Sequence, residues 1–485
     1  MKTLPKLFTT LLLGAAFATL YFGFSVTHPR AGSATAASAP RAVFQDFPTP
    51  PQKITSALAT VPPDAKGIPT QGNMDLYSWL AFIALNWPAN TQTCGPNLQK
   101  TILSGGGPTV WETYLDDSEV FVAPPDKPVQ WCPKSPSSVT AAKIAKFPTG
   151  VRRMAARLGV RKVLSRQTKA SSNLMQNFPG IEEAVGGVLT DQNGRFVRYE
   201  IRLNQDEYKF LTDPNNNLWS KSGQDSYTQV IKFPVGPSKY GPTGAIEIKA
   251  AWKVLSQKEK NSGRFYMTYA LVYNDDKGTL SPGPNPVPLG LVGLHILHKT
   301  RGQPTWLWST FEHVDNLKPP PGSPFGAKAS FTNPGCSPKT CPPNVQTAPT
   351  PYVELDKNGK PLNKPVQVVR LNPASPSQDP LVAGLNKTFQ KLLAGSVWAN
   401  YQLISTQWVG EDGTLPKPAF MANVTLETFI QGPVPPTDGP VAFPSPGYNP
   451  FAPGVTSSCL KCHSVATTAS GKALSDFSFI MGEAK

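Results

Sequence analysis

Five residues near the C-terminus, Cys459-Leu460-Lys461-Cys462-His463, constrain this chain more than any other stretch. Two thiols separated by two residues can each form a thioether with one vinyl group of a single haem. The imidazole that follows then lies beneath the ring as an axial iron ligand. With 6 Cys and 5 His in 485 residues, chance would produce this spacing roughly 0.0008 times per chain, so coincidence is a poor account of it. A structural zinc site would want a second pair of ligands at short spacing, and none stands nearby. A redox dithiol belongs early in a βαβ unit, whereas this pair follows a Pro-rich stretch. The spacing therefore predicts haem attachment at Cys459 and Cys462, with His463 as the metal ligand.

These five residues resemble the attachment motif of c-type cytochromes. The resemblance implies one covalent haem c, matured outside the cytoplasm. The chain departs from the small soluble members, which place a distal Met and a closing helix well downstream; here only Ser464 to Lys485 follow. The stretch Trp306 to Asn316 (WLWSTFEHVDN) is similar to segments of large bacterial cytochrome c family proteins, a likeness that carries no mechanism. For the distal side of the iron the candidates are Met481, His295, His298 and His313, or an open position. His295 and His298 sit in a strand-like run, where a spacing of three sends them to opposite faces, against a shared metal site.

The chain opens with Lys2 and Lys6 before an uncharged, mostly apolar run from Leu7 to Val26 and a small-residue stretch from Ala31 to Ala39. This pattern predicts an export signal over residues 1–36, with Ala34-Thr35-Ala36 as cleavage site, and the apolar run also has the length to remain as a membrane anchor. Either reading places the bulk of the protein outside the cytoplasm, in a bacterial periplasm or an equivalent compartment. Residues 37–72, rich in Ala, Pro and Ser, read as a flexible leader.

Cysteine usage agrees with export. Outside the motif stand Cys94, Cys132, Cys336 and Cys341, an even number that predicts two disulfides, and short loops favour Cys94–Cys132 and Cys336–Cys341 among three connectivities. The 53 Pro and 39 Gly demand many turns, yet the chain is long enough to bury a sizeable core.

Residues 73–431 read as a β-rich α+β host domain, an antiparallel-sheet body with peripheral helices. A helix is predicted from Asn73 or Asp75 to just before Pro88, with Leu76, Trp79, Leu80 and Ile83 at helical spacing. Val185 to Thr190 and Arg195 to Leu203 flank the turn sequence Asp191-Gln-Asn-Gly194, and alternation of Val197, Tyr199, Ile201 and Leu203 with Arg198, Glu200 and Arg202 predicts a hairpin with one buried face. Further strands are predicted from Ile246 to Val254, Phe265 to Tyr273, Leu289 to Lys299, Thr305 to Val314 and Tyr401 to Val409. Lys357-Asn358-Gly359 marks another hairpin turn and Leu385 to Val397 a helix, while Trp111 to Val122 fits either state. Gly432 to Gly454 holds eight Pro and four Gly in 23 residues, a stiffened connector (432–454) that delivers a short helical haem-binding tail (455–485). Within that tail Thr467 to Lys485 can form one helix.

Arg152 to Lys169 carries seven basic residues and no acid, a candidate docking patch for an acidic redox partner or an anionic surface, or simply a solvated face. Processing would remove Lys2, Lys6 and Arg30 and no acid, so the net charge of +15 becomes +12 and a basic exterior survives. A membrane enters only through an uncleaved anchor, and nucleic acid is not expected without a recognition motif. A second C-x-x-C-H is absent from the sequence, as are G-x-S-x-G, H-E-x-x-H and a G-x-G-x-x-G following a strand, which removes covalent two-haem peroxidases and leaves nucleotide or flavin domains without support. The sequence thus predicts an exported monohaem cytochrome that passes single electrons. An oxidoreductase whose body binds a small molecule and a haem-based sensor remain the alternatives.

Overall fold

A computed structural model describes residues 49–65, 69–132, 162–164, 187–274, 280–281, 285–303, 305–319, 328–349, 352–371, 379–409, 416–418, 420–431 and 458–485, all within one compact unit, Phe47–Lys485. The Leu7 to Val26 run, most of the basic stretch 152–169 and the connector 432–454 lie outside the described residues. Among those described, no helix is long and apolar enough to cross a membrane.

The runs with two-residue periodicity come together in a ten-stranded sheet: β1 (Leu115–Asp116), β2 (Lys162–Leu164), β3 (Arg198–Leu203), β4 (Ile246–Val254), β5 (Met267–Tyr273), β6 (Leu280–Ser281), β7 (Val287–Lys299), β8 (Trp306–His313), β9 (Tyr401–Val409) and β10 (Pro416–Lys417). The main order is β10-β9-β8-β7-β4-β3-β1, with β5 paired to β7 and flanked by β2 and β6. Every pairing is antiparallel except β2 with β5. The body is a β-rich α+β fold, as the alternating patterns predict. The hairpin at Asp191 forms, its turn closed by Gly194 at φ 79°, a backbone that glycine adopts without steric cost. The β7–β8 hairpin forms across Arg301 and Gly302, with Lys299 opposite Trp306.

One expectation fails here. The alternation in β3 does not leave a polar face in water: Arg198, Glu200 and Arg202 are all buried. The charges persist because they are paired. Glu200 accepts from Lys162 at 2.6 Å, Arg202 at 2.7 Å and the Trp252 indole at 2.8 Å, while Glu354 receives Arg198 at 2.8 Å and Arg195 at 2.9 Å. Sheets covered on both faces allow such rows only when each ion has its counter-ion and hydrogen bonds. Lys162 therefore contributes nothing to an exposed basic patch; its ammonium lies between Glu112 and Glu200, over the Trp111 and Trp252 rings.

One sheet face is covered by α1 (Gln71–Leu85), which starts at the Thr70 cap, three residues ahead of Asn73, the earlier of the two predicted starts, and is buried on nearly every side. It is a central element, not a peripheral one. Trp79 stacks on Phe389 of α3 (Pro380–Leu392) at 4.9 Å and donates its indole hydrogen to Asn386 at 3.0 Å. Ile54, Leu58 and Val61 pack against the same cluster, so the segment 49–65 is part of the core. A second helix, α2 (Gln205–Thr212), leaves β3 directly through the Asn204 cap. The Trp111 to Val122 stretch is mixed: a 3-10 turn at Trp111–Thr113, strand β1, then one turn of helix at Asp117–Val120. Both disulfides join the expected pairs, Cys94–Cys132 with Cα atoms 5.7 Å apart and Cys336–Cys341 with Cα atoms 5.9 Å apart.

Candidate functional site

The C-terminal tail lies against the face of the sheet opposite α1. Direct cross-strand partners share a face, so Leu203, Glu247, Leu297, Trp308 and Gln407 form one row across β3, β4, β7, β8 and β9. The tail reads this row along its length. Gln407 Oε1 accepts from the Leu460 amide at 2.9 Å and from the Ser458 hydroxyl at 3.3 Å; the Trp308 ring meets His463 edge-on with centroids 5.4 Å apart; the Ser478 hydroxyl donates to Glu247. Leu460, Phe477, Ile480 and Met481 are buried among Leu203, Leu297, Trp306 and Trp308.

The motif itself forms a single helical turn, α4 (Cys459–His463), capped by Ser458, whose Oγ accepts from the Lys461 amide. At positions i, i+3 and i+4 of a helix, Cys459, Cys462 and His463 project to one side. Leu460, three positions before His463, is fully buried and anchors the turn to the apolar cluster. Cys459 and Cys462 stand apart from both disulfides and are partly exposed, whereas His463 is buried.

His463 Nδ1 lies 2.7 Å from the Phe477 carbonyl oxygen. A carbonyl only accepts, so Nδ1 carries a hydrogen, and in the neutral ring that puts the lone pair on Nε2, the tautomer an axial imidazole needs. Trp308 and Phe479 both meet the ring edge-on, the latter at 4.9 Å, and limit its rotation. Thiols on one side of a helical turn and an oriented imidazole beside them fit a covalently attached haem, with Cys459 and Cys462 as attachment points and His463 as ligand.

The Phe477 carbonyl is held by its neighbour. Asp476 and Phe477 adopt left-handed backbone conformations, φ 48° and 69°, and Gly471 another at φ 72°. These break the helix expected over Thr467 to Lys485: the segment is instead a turn closed by a Thr467–Leu474 bridge, followed by a 3-10 turn at Phe479–Glu483. A left-handed phenylalanine is an uncommon, strained state that survives only where its surroundings fix it. Asp476 supplies that fixing. Its carboxylate accepts from Lys299 at 2.7 Å and from the Phe233 amide at 2.8 Å, and its carbonyl accepts from the Trp306 indole at 2.7 Å. Nothing in the sequence marked Asp476 or Gln407 as belonging to the site, and Trp308 stood only inside the Trp306 to Asn316 likeness, because these roles arise from register across the strands.

The three body histidines named as distal candidates are occupied at both ring nitrogens. His295 is bonded by Thr310 at Nδ1, 2.8 Å, and by Glu427 at Nε2, 3.0 Å. His298 takes the Tyr77 hydroxyl at Nδ1 and the Thr243 carbonyl at 2.8 Å, on the opposite face from His295, as the strand period predicts. His313 stacks on Phe265 and is held by the Arg264 carbonyl and the Asp315 amide, 3.2 and 3.1 Å. Burial holds His298 and His313 well below the usual imidazole range, at about 4, so both are neutral at pH 7. Met481 is buried in the tail's apolar cluster, and its carbonyl accepts from Gln224 at 3.0 Å. Two cavities, about 390 Å³ around Lys253, Glu259 and Asp315 and about 400 Å³ around Pro62, Asn73 and Tyr77, are lined without any tail residue. Comparison with protein-family models, with curated proteins and with solved structures finds no match to this chain.

Proposed function

We propose that this protein is an exported monohaem c-type cytochrome in which a β-rich host domain holds the haem-binding tail and passes single electrons to and from a partner protein. Cys459 and Cys462 would carry one haem through thioether bonds, and His463 Nε2 would ligate its iron. When bound, that group supplies reversible one-electron chemistry at a defined potential. The chain's own residues do the rest: Phe477 fixes the imidazole tautomer, Trp308 and Phe479 fix its orientation, and the row from Glu247 to Gln407 anchors the tail. The observation that carries the reading is the 2.7 Å contact from His463 Nδ1 to the Phe477 carbonyl, found in the residue that the C-x-x-C-H spacing singles out.

Export is part of the reading, supported by the N-terminal pattern and by two disulfides within the host domain. Tail docking supports a sheltered haem over a freely tethered one. Covering a macrocycle of several hundred Å² at roughly 25 cal/mol per Å² favours the sheltered arrangement by several kcal/mol. The test is a spectrum of protein purified from an exporting host that matures haem c, oxidised and reduced, with and without carbon monoxide. A reduced spectrum of c-type character supports the reading, and colourless protein contradicts it.

A further inference from the structure

Beside the tail, the sheet face holds two carboxyl groups that the electron-carrier reading does not use. Glu247, in the cross-strand row under the tail, is fully buried, and so is Glu207 on α2. Asn204 brings them together. Its Oδ1 accepts from the Glu207 amide and from the Ile246 amide, both at 3.1 Å, tying the first turn of α2 to the start of β4. Both oxygens of Glu207 and Oε2 of Glu247 are buried without a hydrogen-bond partner. Only Glu247 Oε1 is engaged, by the Ser478 hydroxyl. Two buried carboxylates with three unpartnered oxygens are too costly to be both ionised, whereas a carboxylic acid proton would satisfy some of those oxygens.

We propose that the Glu207–Glu247 pair is a redox-linked proton site: it takes up one proton from solvent when the iron held by His463 gains an electron, and returns it on oxidation. This rests on the haem reading and extends it. The balance is one electron from a one-electron donor protein to the ferric iron and one proton to the pair, so the site's net charge is unchanged by reduction. The link is short and covalent in part. His463 donates to the Phe477 carbonyl, Ser478 is the next residue, and its hydroxyl donates to Glu247.

The charged groups facing the pair act on it in both directions. Lys249 on β4 favours ionisation of Glu247, and Asp476 on the tail opposes it. Lys299 on β7 is already paired with Asp476 at 2.7 Å. On α2, Asp206 is held by the Thr243 and Gly244 amides. Burial and the charge of Glu247 push the Glu207 carboxyl well above the usual range, and burial raises Glu247 as well, which places the pair's titration above that of ordinary carboxylates.

The test is the midpoint potential of the full-length haem protein from pH 5 to 9, read spectroscopically, for wild type, Glu207→Gln, Glu247→Gln and Ser478→Ala. One proton per electron changes the reduction equilibrium tenfold per pH unit, about 59 mV, across the pair's titration. Wild type should show that slope, both Gln variants should flatten it by at least half, and Ser478→Ala should weaken it while keeping the pair. A second readout needs no redox change: the infrared band of a protonated carboxyl at neutral pH should be present in wild type and diminished in each Gln variant. A haem-bearing protein whose potential is equally pH-dependent in wild type and both Gln variants overturns the proposal alone, as does the absence of a protonated carboxyl. A protein without haem overturns the proposal and the haem reading together.

Discussion

His463 donates its Nδ1 hydrogen across 2.7 Å to the carbonyl of Phe477, a residue held in the left-handed region at φ 69°. The strained residue and the candidate ligand are fourteen positions apart, and what joins them is the Asp476 clamp on Lys299, Trp306 and Phe233. The Asp476 carboxylate therefore contributes both to the docking of the tail and to the orientation of the imidazole.

Replacing that carboxylate separates the two. Asp476→Asn keeps the volume but leaves the buried Lys299 ammonium without its counter-charge, a change expected to cost about 3–5 kcal/mol. Chemical denaturation should show a loss of that order, and limited proteolysis should cut the tail faster than in wild type. An Asp476→Asn variant with wild-type stability and protection would show that the clamp does not hold the tail.

The Glu200 network is the corresponding test in the body. Lys162 and Arg202 hold Glu200 down to about 2, against burial that pushes it up. With the folded-state value below the unfolded one, its stabilisation is present above the ordinary glutamate range near 4.3 and is lost as pH falls toward 2. Glu200→Gln should destabilise by about 3–5 kcal/mol at pH 7, with the deficit narrowing as pH falls through this window. A variant as stable as wild type at pH 7 would contradict the assignment.

Asp75, on the fully covered helix α1, behaves oppositely. Burial raises its carboxyl to about 7 despite hydrogen bonds from Gln71 and Thr406. A raised folded-state value favours the folded state at low pH, and that advantage is lost as pH rises through about 7. Asp75→Asn should remove this loss, on the order of 3 kcal/mol between pH 5 and 9, measured as the difference in stability from denaturation at the two pH values.

On the acid side, His298 and His313 are neutral in the folded state with values near 4. Their contribution is present above the ordinary histidine value near 6.5 and is lost as pH falls toward 4. Wild-type stability should drop across that interval, and His298→Gln should reduce the drop even where it costs stability at pH 7. A pH-independent difference between variant and wild type would show that His298 does not titrate in this range.

Much of the sheet was legible in the chain because Arg198–Leu203 and Ile246–Val254 carry a two-residue apolar period, while β7 stands out as a long, largely apolar run. What the alternation cannot say is whether its polar half meets water. Glu200, Arg202 and Lys253 look like a solvated face in sequence and are buried because other segments cover them and supply counter-charges. The disulfides followed from loop length and even count. In the tail the C-x-x-C-H spacing marked the proposed attachment residues, whereas the expected helix over Thr467 to Lys485 was not formed, because Asp476 and Phe477 take left-handed conformations that long-range contacts to Lys299 and Trp306 impose. Local propensity contains none of those contacts.

The central claim is covalent attachment at the motif, and the mass of the C-terminal proteolytic peptide tests it most directly. Protein from an exporting host with haem c maturation should keep its colour through acid-acetone extraction. The peptide spanning Cys459 to His463 should carry the mass of one haem, with neither thiol open to alkylation. A colourless extract residue and an unmodified peptide with two alkylatable thiols would contradict the account.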